Sequence, residues 1–75
     1  PTPSASVLVV DDEPDIRTLY ELTLLREGHA VTTAADLQQA REHLAHHRFD
    51  VLISDMQLPD GQALALLREI AERQR

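Results

Sequence analysis

The chain has 75 residues and a formal charge of -6, because thirteen acidic residues outnumber seven arginines and lysine is absent. It also contains no cysteine. This length allows one small domain, and the lack of cysteine excludes disulfides and thiolate metal sites. The negative charge and the scarcity of aromatic residues argue against direct nucleic-acid contact, which relies on basic residues at phosphates. Nothing in these residues resembles a signal peptide, and no apolar run approaches the ~20 residues that a membrane span needs, so we expect a cytoplasmic domain without membrane contact.

The first predicted elements are a short buried strand and an amphipathic helix. The preceding segment, 1–6, reads PTPSAS and is predicted to be a disordered lead-in or cloning remnant, with the folded domain over 7–75. Val7 to Val10 form a continuous apolar run rich in β-branched residues, which is typical of a strand covered on both faces. A helix is predicted to start at Pro14, which is favourable in a first turn, and to be capped at its end by Gly28.

Two more strand–helix units follow along the chain. A modest edge strand is predicted over Ala30 to Thr33, and Asp36 is a suitable N-cap for a second helix that continues to about His46. Phe49 to Ser54 contain the apolar run VLI, which again is typical of a central parallel strand. After the turn sequence QLPDG, a last amphipathic helix is predicted to run toward Arg73.

Alternating strands and helices predict an α/β fold whose parallel strands are joined by right-handed crossovers. In a doubly wound sheet, ligands bind at the carboxyl ends of the strands, where the strand order reverses. Asp11 and Asp12 follow the first strand, and Asp55 follows the third. If these two strands are neighbours, the three carboxylates converge and form an oxygen site that suits Mg²⁺ or Mn²⁺.

Simpler interpretations exist for these acids and for a group of histidines. The run from Asp11 to Asp15 could be an acidic loop that opens a helix, where negative charge meets the positive end of the dipole, but the matching Asp55 favours a metal site. His43 and His47 have the i, i+4 spacing of a transition-metal site. A solvated helix end is the favoured interpretation of these histidines, because no carboxylate has the companion spacing of a metalloprotease motif.

The segments VLVVDDEPDIR and DMQLPDG, with the apolar run that ends at Asp55, resemble the receiver domain of two-component response regulators. The resemblance covers the chain from Val7 onward, and its LPDG turn looks most like receivers of the sigma-54 activator type. It implies a flavodoxin-like fold, a doubly wound parallel sheet with strand order 2-1-3, truncated after the third β/α unit. It also implies that Asp55 is the phosphoacceptor and that Mg²⁺ is bound by Asp11, Asp12, Asp55 and the backbone carbonyl of Gln57.

The function implied by the resemblance is phosphorelay signal transduction by a phosphoacceptor domain that is not an enzyme. Its partners would be a sensor histidine kinase, which supplies the phosphoryl group, and a downstream effector domain of the same protein, expected to regulate transcription. Such a segment would control DNA binding elsewhere without contacting nucleic acid itself.

The chain ends after the third helix, so the family's Ser or Thr after strand four and Lys after strand five have no counterpart among these residues. We therefore expect impaired self-phosphorylation of the isolated segment, and self-association through the exposed third strand, because an unpaired apolar edge is a template for pairing. The alternative function is a receiver-like interaction or dimerisation fragment that is not phosphorylated. A metal-dependent hydrolase of the aspartyl-phosphate kind is less favoured, because no D-x-D follows the first strand.

Overall fold

The computed structural model describes residues 4–73, which form a parallel sheet, flanking helices and a short hairpin. No helix within this part of the chain is long and apolar enough to cross a membrane. The elements in chain order are β1 (Ser6–Val10), α1 (Pro14–Arg26), β2 (Ala30–Ala34), α2 (Leu37–His46), β3 (Val51–Ser54), β4 (Gln57–Leu58), β5 (Gly61–Gln62) and α3 (Ala63–Arg73).

The parallel sheet has the strand order β2-β1-β3, which confirms the predicted 2-1-3 arrangement and the flavodoxin-like fold. β1 is the central strand, and its last residue, Val10, aligns with Ala34 of β2 and Ser54 of β3. The three strands therefore end at the same level. Within the described residues, β3 is an outer strand, and its far edge has no partner.

Helices cover both faces of this sheet. The main core lies on the side of α2 and α3, and the fully buried residues that form it are Leu8, Val10, Ala34, Leu37, Ala40, Leu58 and Leu66. Side chains alternate along a strand, so Val7 and Val9 point to the opposite face, where α1 contacts β1 and β2. α1 itself has no fully buried residue, whereas α2 and α3 each bury two.

The amino end of the domain differs slightly from the sequence prediction. β1 begins at Ser6, one residue inside the segment predicted as a lead-in, and residues 1–3 of that segment lie outside the described residues. Ala5 is held by two contacts, because its carbonyl accepts from the N–H of Ala30 at 2.9 Å and its N–H donates to Nδ1 of His29 at 3.0 Å. Pairing with β2 therefore extends β1 toward the amino terminus, and the domain boundary at residue 7 stays a prediction.

Gly28 lies just beyond the end of α1, where the sequence predicts a cap. Its N–H donates to the carbonyl of Leu25 at 3.0 Å, and the N–H of His29 donates to the carbonyl of Leu24 at 3.1 Å. These two hydrogen bonds form a Schellman motif, which needs a residue with positive φ directly after the helix cap. Gly28 has a φ of 90° and meets that need without the steric cost of a side chain.

Asp36 caps α2 as predicted. Its Oδ1 accepts from the backbone N–H of Gln39 at 2.8 Å, while Oε1 of Gln39 accepts from the N–H of Ala35 at 2.9 Å. The first bond is an N-cap bond, which satisfies an N–H that has no partner inside the helix. The second reaches Ala35, one residue before the N–H that a standard capping box uses. The start of α2 is therefore well defined, and it lies directly after the carboxyl end of β2.

Candidate metal and phosphoacceptor site

Asp11, Asp12 and Asp55 lie together at the carboxyl end of the sheet. Each offers a carboxylate oxygen, and these three oxygens lie within 4.8 Å of one another. The cause is the register of the sheet, because Val10 pairs with Ser54 in parallel strands and the residues that follow them emerge side by side. The structure thus brings together the three acids that the sequence pattern predicts to converge.

Backbone hydrogen bonds hold two of these acids in place. The N–H of Asp11 donates to the carbonyl of Ala34, and the N–H of Asp55 donates to the carbonyl of Val10, each over 3.0 Å. Both bonds continue the parallel ladders one residue past the strands. The main chain of each acid is therefore fixed by the neighbouring strand, although Asp55 and Asp12 have exposed side chains.

Asp11 is the most constrained acid of the three. Its Oδ1 accepts from the N–H of Glu13 at 3.0 Å, which closes a short turn between β1 and α1. Its backbone carbonyl accepts from Nη1 of Arg17 at 2.8 Å, a contact that the sequence interpretation missed. Arg17 stands one helical turn into α1, so its position near the strand end could have been suspected from the short loop alone.

The donor set fits a hard divalent cation. Three carboxylates this close repel one another, and this repulsion is relieved by a positive partner. Among the described residues, the recorded ion pair joins Arg41 and Glu69, at 3.0 Å, and involves none of Asp11, Asp12 and Asp55. Carboxylate oxygens without sulfur or imidazole ligands favour Mg²⁺ or Mn²⁺ over softer metals.

The other predicted ligand and the alternative metal site have different outcomes. Gln57 begins β4 and pairs with Gln62 of β5. Binding of the metal by its backbone carbonyl stays a prediction. Within residues 4–73, the cluster of potential metal ligands consists of Asp11, Asp12 and Asp55 and does not include His43 or His47. The ring of His47 instead lies edge-on to Phe49, with ring centroids 6.4 Å apart.

The loop after Asp55 is more ordered than a simple turn. The predicted turn QLPDG covers most of a hairpin of two short antiparallel strands, β4 and β5, with Pro59 and Asp60 between them. The second strand extends one residue beyond the turn, to Gln62. Oδ1 of Asp60 accepts from the N–H of Leu37 at 2.9 Å, and Oδ2 accepts from the N–H of Gln38 at 3.0 Å. These bonds, led by that of Leu37, hold the pKa of Asp60 below its usual value because they favour the charged carboxylate.

The contact between Asp60 and α2 was not visible in the sequence. LPDG predicts a turn whatever its side chains touch, and Leu37 lies 23 residues earlier in the chain. No local pattern connects two such positions.

Comparison with known proteins identifies the family. Residues 7–75 match the model of the response regulator receiver domain. The response regulator protein PilR of Pseudomonas aeruginosa is 48% identical over 66 residues, which are 88% of this chain and 15% of PilR. The transcriptional regulatory protein AfsQ1 of Streptomyces coelicolor is 37% identical over 65 residues, which are 87% of this chain and 29% of AfsQ1.

Two solved structures share the fold. The chemotaxis response regulator CheY4 of Vibrio cholerae matches with a TM-score of 0.85 and 37% identity, over 89% of this chain and 56% of that one. The beryllofluoride-activated NtrC4 receiver domain dimer, solved in solution, matches with a TM-score of 0.84 and 34% identity, over 91% and 56%. This chain therefore spans about half of each solved chain and less than a third of the two curated relatives. From the match over residues 7–75 and the shared fold, the chain belongs to the response regulator receiver family.

Proposed function

We propose that this chain provides the phosphoacceptor part of a two-component response regulator, with Asp55 as the acceptor. Mg²⁺, or Mn²⁺, would be held by Asp11, Asp12, Asp55 and the backbone carbonyl of Gln57. The observation that carries the proposal is the approach of three carboxylate oxygens to within 4.8 Å at the ends of neighbouring parallel strands. Membership of the receiver family also supports the assignment of a phosphoacceptor function.

The hydrogen bonds of the site support this division of roles. Oδ1 of Asp11 already accepts a hydrogen bond from the backbone N–H of Glu13. This bond fixes the carboxylate of Asp11 and makes it a weaker nucleophile. Asp55 is exposed, as a group that must meet a donor molecule should be. A carboxylate oxygen of Asp55 attacks phosphorus and forms a new P–O bond, while the bond from phosphorus to the donor breaks and its electron pair leaves with the donor.

The proposed cation supplies charge that offsets the repulsion between the carboxylates and the incoming phosphoryl oxygens. The protein's own residues prepare for this by holding the acids in place before any ligand arrives. The backbone bonds from Asp11 to Ala34 and from Asp55 to Val10 fix the two strand ends. Preorganised groups of this kind cost no rearrangement when charge develops.

The wider role follows from the family. A sensor histidine kinase would donate the phosphoryl group, and an effector domain of the same protein would read the result, in the cytoplasm. A transcriptional effector is proposed because the relative AfsQ1 is named a transcriptional regulatory protein. The LPDG turn favours the sigma-54 activator type. The net charge of -6 argues that this segment does not itself bind nucleic acid.

The test is phosphorylation by acetyl phosphate with Mg²⁺, followed by intact mass spectrometry. In the full natural protein that carries this chain, the unmodified form and an Asp50→Asn variant should gain the mass of one phosphoryl group, whereas Asp55→Asn should not. Asp50 is the matched control, because it lies at the opposite end of β3, where its Oδ2 accepts from the N–H of Ser6 at 2.8 Å. A mass gain in Asp55→Asn equal to that of the unmodified chain would overturn the proposal.

A second candidate function is self-association through β3. Its free edge in the described sheet and the 43% exposure of Val51 favour it, since unpaired apolar edges invite pairing. The NtrC4 relative is a receiver domain dimer, which shows that such domains can associate. Sedimentation at rising concentration should show a dimer that Val51→Lys disrupts and Leu19→Lys, on the exposed face of α1, does not. A monomer at all concentrations would exclude this function.

A further inference from the structure

The loop between Asp55 and α3 is closed on itself. The carbonyl of Met56 accepts from the N–H of Ala63 at 3.0 Å, so the two ends of the loop are tied together. Between these ends, β4 and β5 pair in antiparallel fashion, and Leu58 is buried in the main core. Gln57, whose carbonyl is the proposed metal ligand, is the first residue of this hairpin. The position of the hairpin therefore determines where that carbonyl lies.

Asp60 binds this hairpin to the start of α2. Its two carboxylate oxygens accept from the N–H groups of Leu37 and Gln38, and Asp36 accepts from that of Gln39. The first three N–H groups of a helix have no partner inside it. In α2, all three are satisfied by carboxylates. Two of the three bonds come from the hairpin. α2 and the hairpin are thus joined by charge-assisted hydrogen bonds, which are stronger than neutral ones.

A second contact is independent of these hydrogen bonds. Gly61 has a φ of 145°, and a Cβ placed on it would lie 2.9 Å from Cδ1 of Leu37. The hairpin backbone therefore packs directly against the side chain of the first residue of α2. Leu37 is itself buried, so it has little room to move away.

We propose that Asp60 is a positioning residue of the acceptor site, which acts by fixing the hairpin that carries Gln57. This inference rests on the proposed function, because it assigns the hairpin a part in metal binding. Asp60 does not belong to the group of three acids that offers ligand atoms. Its effect is transmitted through the hairpin backbone, in the way that residues surrounding a metal site orient its ligands.

The experiment compares Asp60→Ala with Asp36→Ala in the full natural protein that carries this chain. Both changes remove one carboxylate that caps α2, but only Asp60 connects the helix to the hairpin. The first measurement is amide hydrogen exchange without metal, which reports local opening. The second is the affinity for Mg²⁺ by calorimetric titration. An Asp60→Asn variant, which keeps one acceptor oxygen, is measured beside them in case Asp60→Ala fails to fold.

We expect Asp60→Ala to accelerate exchange in 57–62 and to weaken Mg²⁺ binding by about tenfold, as loss of a group that orients a ligand typically does. Asp36→Ala should leave the exchange rates in 57–62 and the Mg²⁺ affinity near those of the unmodified protein. Asp60→Asn should give values between those of the unmodified protein and Asp60→Ala. Equal effects of Asp60→Ala and Asp36→Ala on Mg²⁺ affinity would overturn the proposal, because both would then act through helix stability. Unchanged exchange in 57–62 in Asp60→Ala and Asp60→Asn would overturn it as well.

The two proposals fail in different ways. If the unmodified protein binds no Mg²⁺, the proposed function is wrong, and so is the metal-related part given to Asp60. If the unmodified protein binds Mg²⁺ and accepts phosphate but Asp60→Ala binds the metal equally well, only the positioning role is wrong.

Discussion

The backbone N–H of Asp55 donates to the carbonyl of Val10 over 3.0 Å, so the acid after β3 is held by the residue that ends β1. Asp11 follows Val10 directly, and the same two strands therefore deliver two of the clustered acids. In a sheet, a shift of one residue turns every side chain of a strand to the other face. The register between β1 and β3 is thus the condition for the site.

Removal of the Asp12 charge should weaken Mg²⁺ binding. Asp12→Asn replaces one of three clustered carboxylates, and the loss should exceed the roughly tenfold typical of groups that only orient a ligand. Glu13→Gln is the matched control, because Glu13 is the adjacent acid but contributes only its backbone N–H, which binds Asp11. Calorimetric titration measures both variants, and equal affinities for Mg²⁺ would show that Asp12 is not a ligand.

Truncation of Leu37 should destabilise the domain far more than truncation of Leu19. Leu37 is 1% exposed and packs in the main core, whereas Leu19 on α1 is 62% exposed. Leu37→Ala should lower the free energy of unfolding by about 2–5 kcal/mol. Leu19→Ala should change it by about 0.5 kcal/mol or less. Urea unfolding measures both, and similar losses would mean that α1 is buried in solution.

A methyl group at Gly61 should cost more stability than one at Gly28. Both residues have positive φ, but a Cβ at Gly28 would have no atom within 4 Å, whereas one at Gly61 would meet Leu37 at 2.9 Å. Gly28→Ala should lower the free energy of unfolding by about 1 kcal/mol, and Gly61→Ala by about 2–3 kcal/mol. Chemical denaturation of the two variants tests the order, and a larger loss for Gly28→Ala would contradict it.

The contribution of Asp60 to stability should depend on pH. Because the hydrogen bond from Leu37 is the main cause that lowers its pKa in the folded state, the charged carboxylate favours folding. This contribution is complete above the ordinary aspartate pKa of about 3.9 and is lost as pH falls through the lower folded value. The stability difference between the unmodified chain and Asp60→Asn should therefore be present at neutral pH and shrink below about pH 4.

Unfolding by urea at a series of pH values measures this difference. Other acids titrate in both proteins, so their effect cancels when the two curves are subtracted. A difference that stays constant down to the lowest pH would show that the carboxylate of Asp60 gains nothing from its bonds to α2.

The sequence by itself determined the order of the strand–helix units and the parallel sheet, and it placed Asp11, Asp12 and Asp55 directly after two of the strands. These features follow from local patterns, because apolar runs mark buried strands, Gly28 and Asp36 mark helix ends, and an acid directly after a strand must lie at that strand's end. That these two strands are neighbours was implied by the resemblance to receivers. That resemblance rested on the same short segments. The roles of the three acids and of Gln57 remain proposals.

Only the tertiary structure decided which distant groups meet. Ser6 joins β1 because β2 pairs with it, Arg17 turns back to the carbonyl of Asp11, and Asp60 caps a helix that begins 23 residues earlier. The hairpin of β4 and β5 likewise forms where Leu58 is buried against the core. A local pattern specifies how a segment folds, but such contacts depend on how whole elements pack, and packing brings together residues that share no sequence signal.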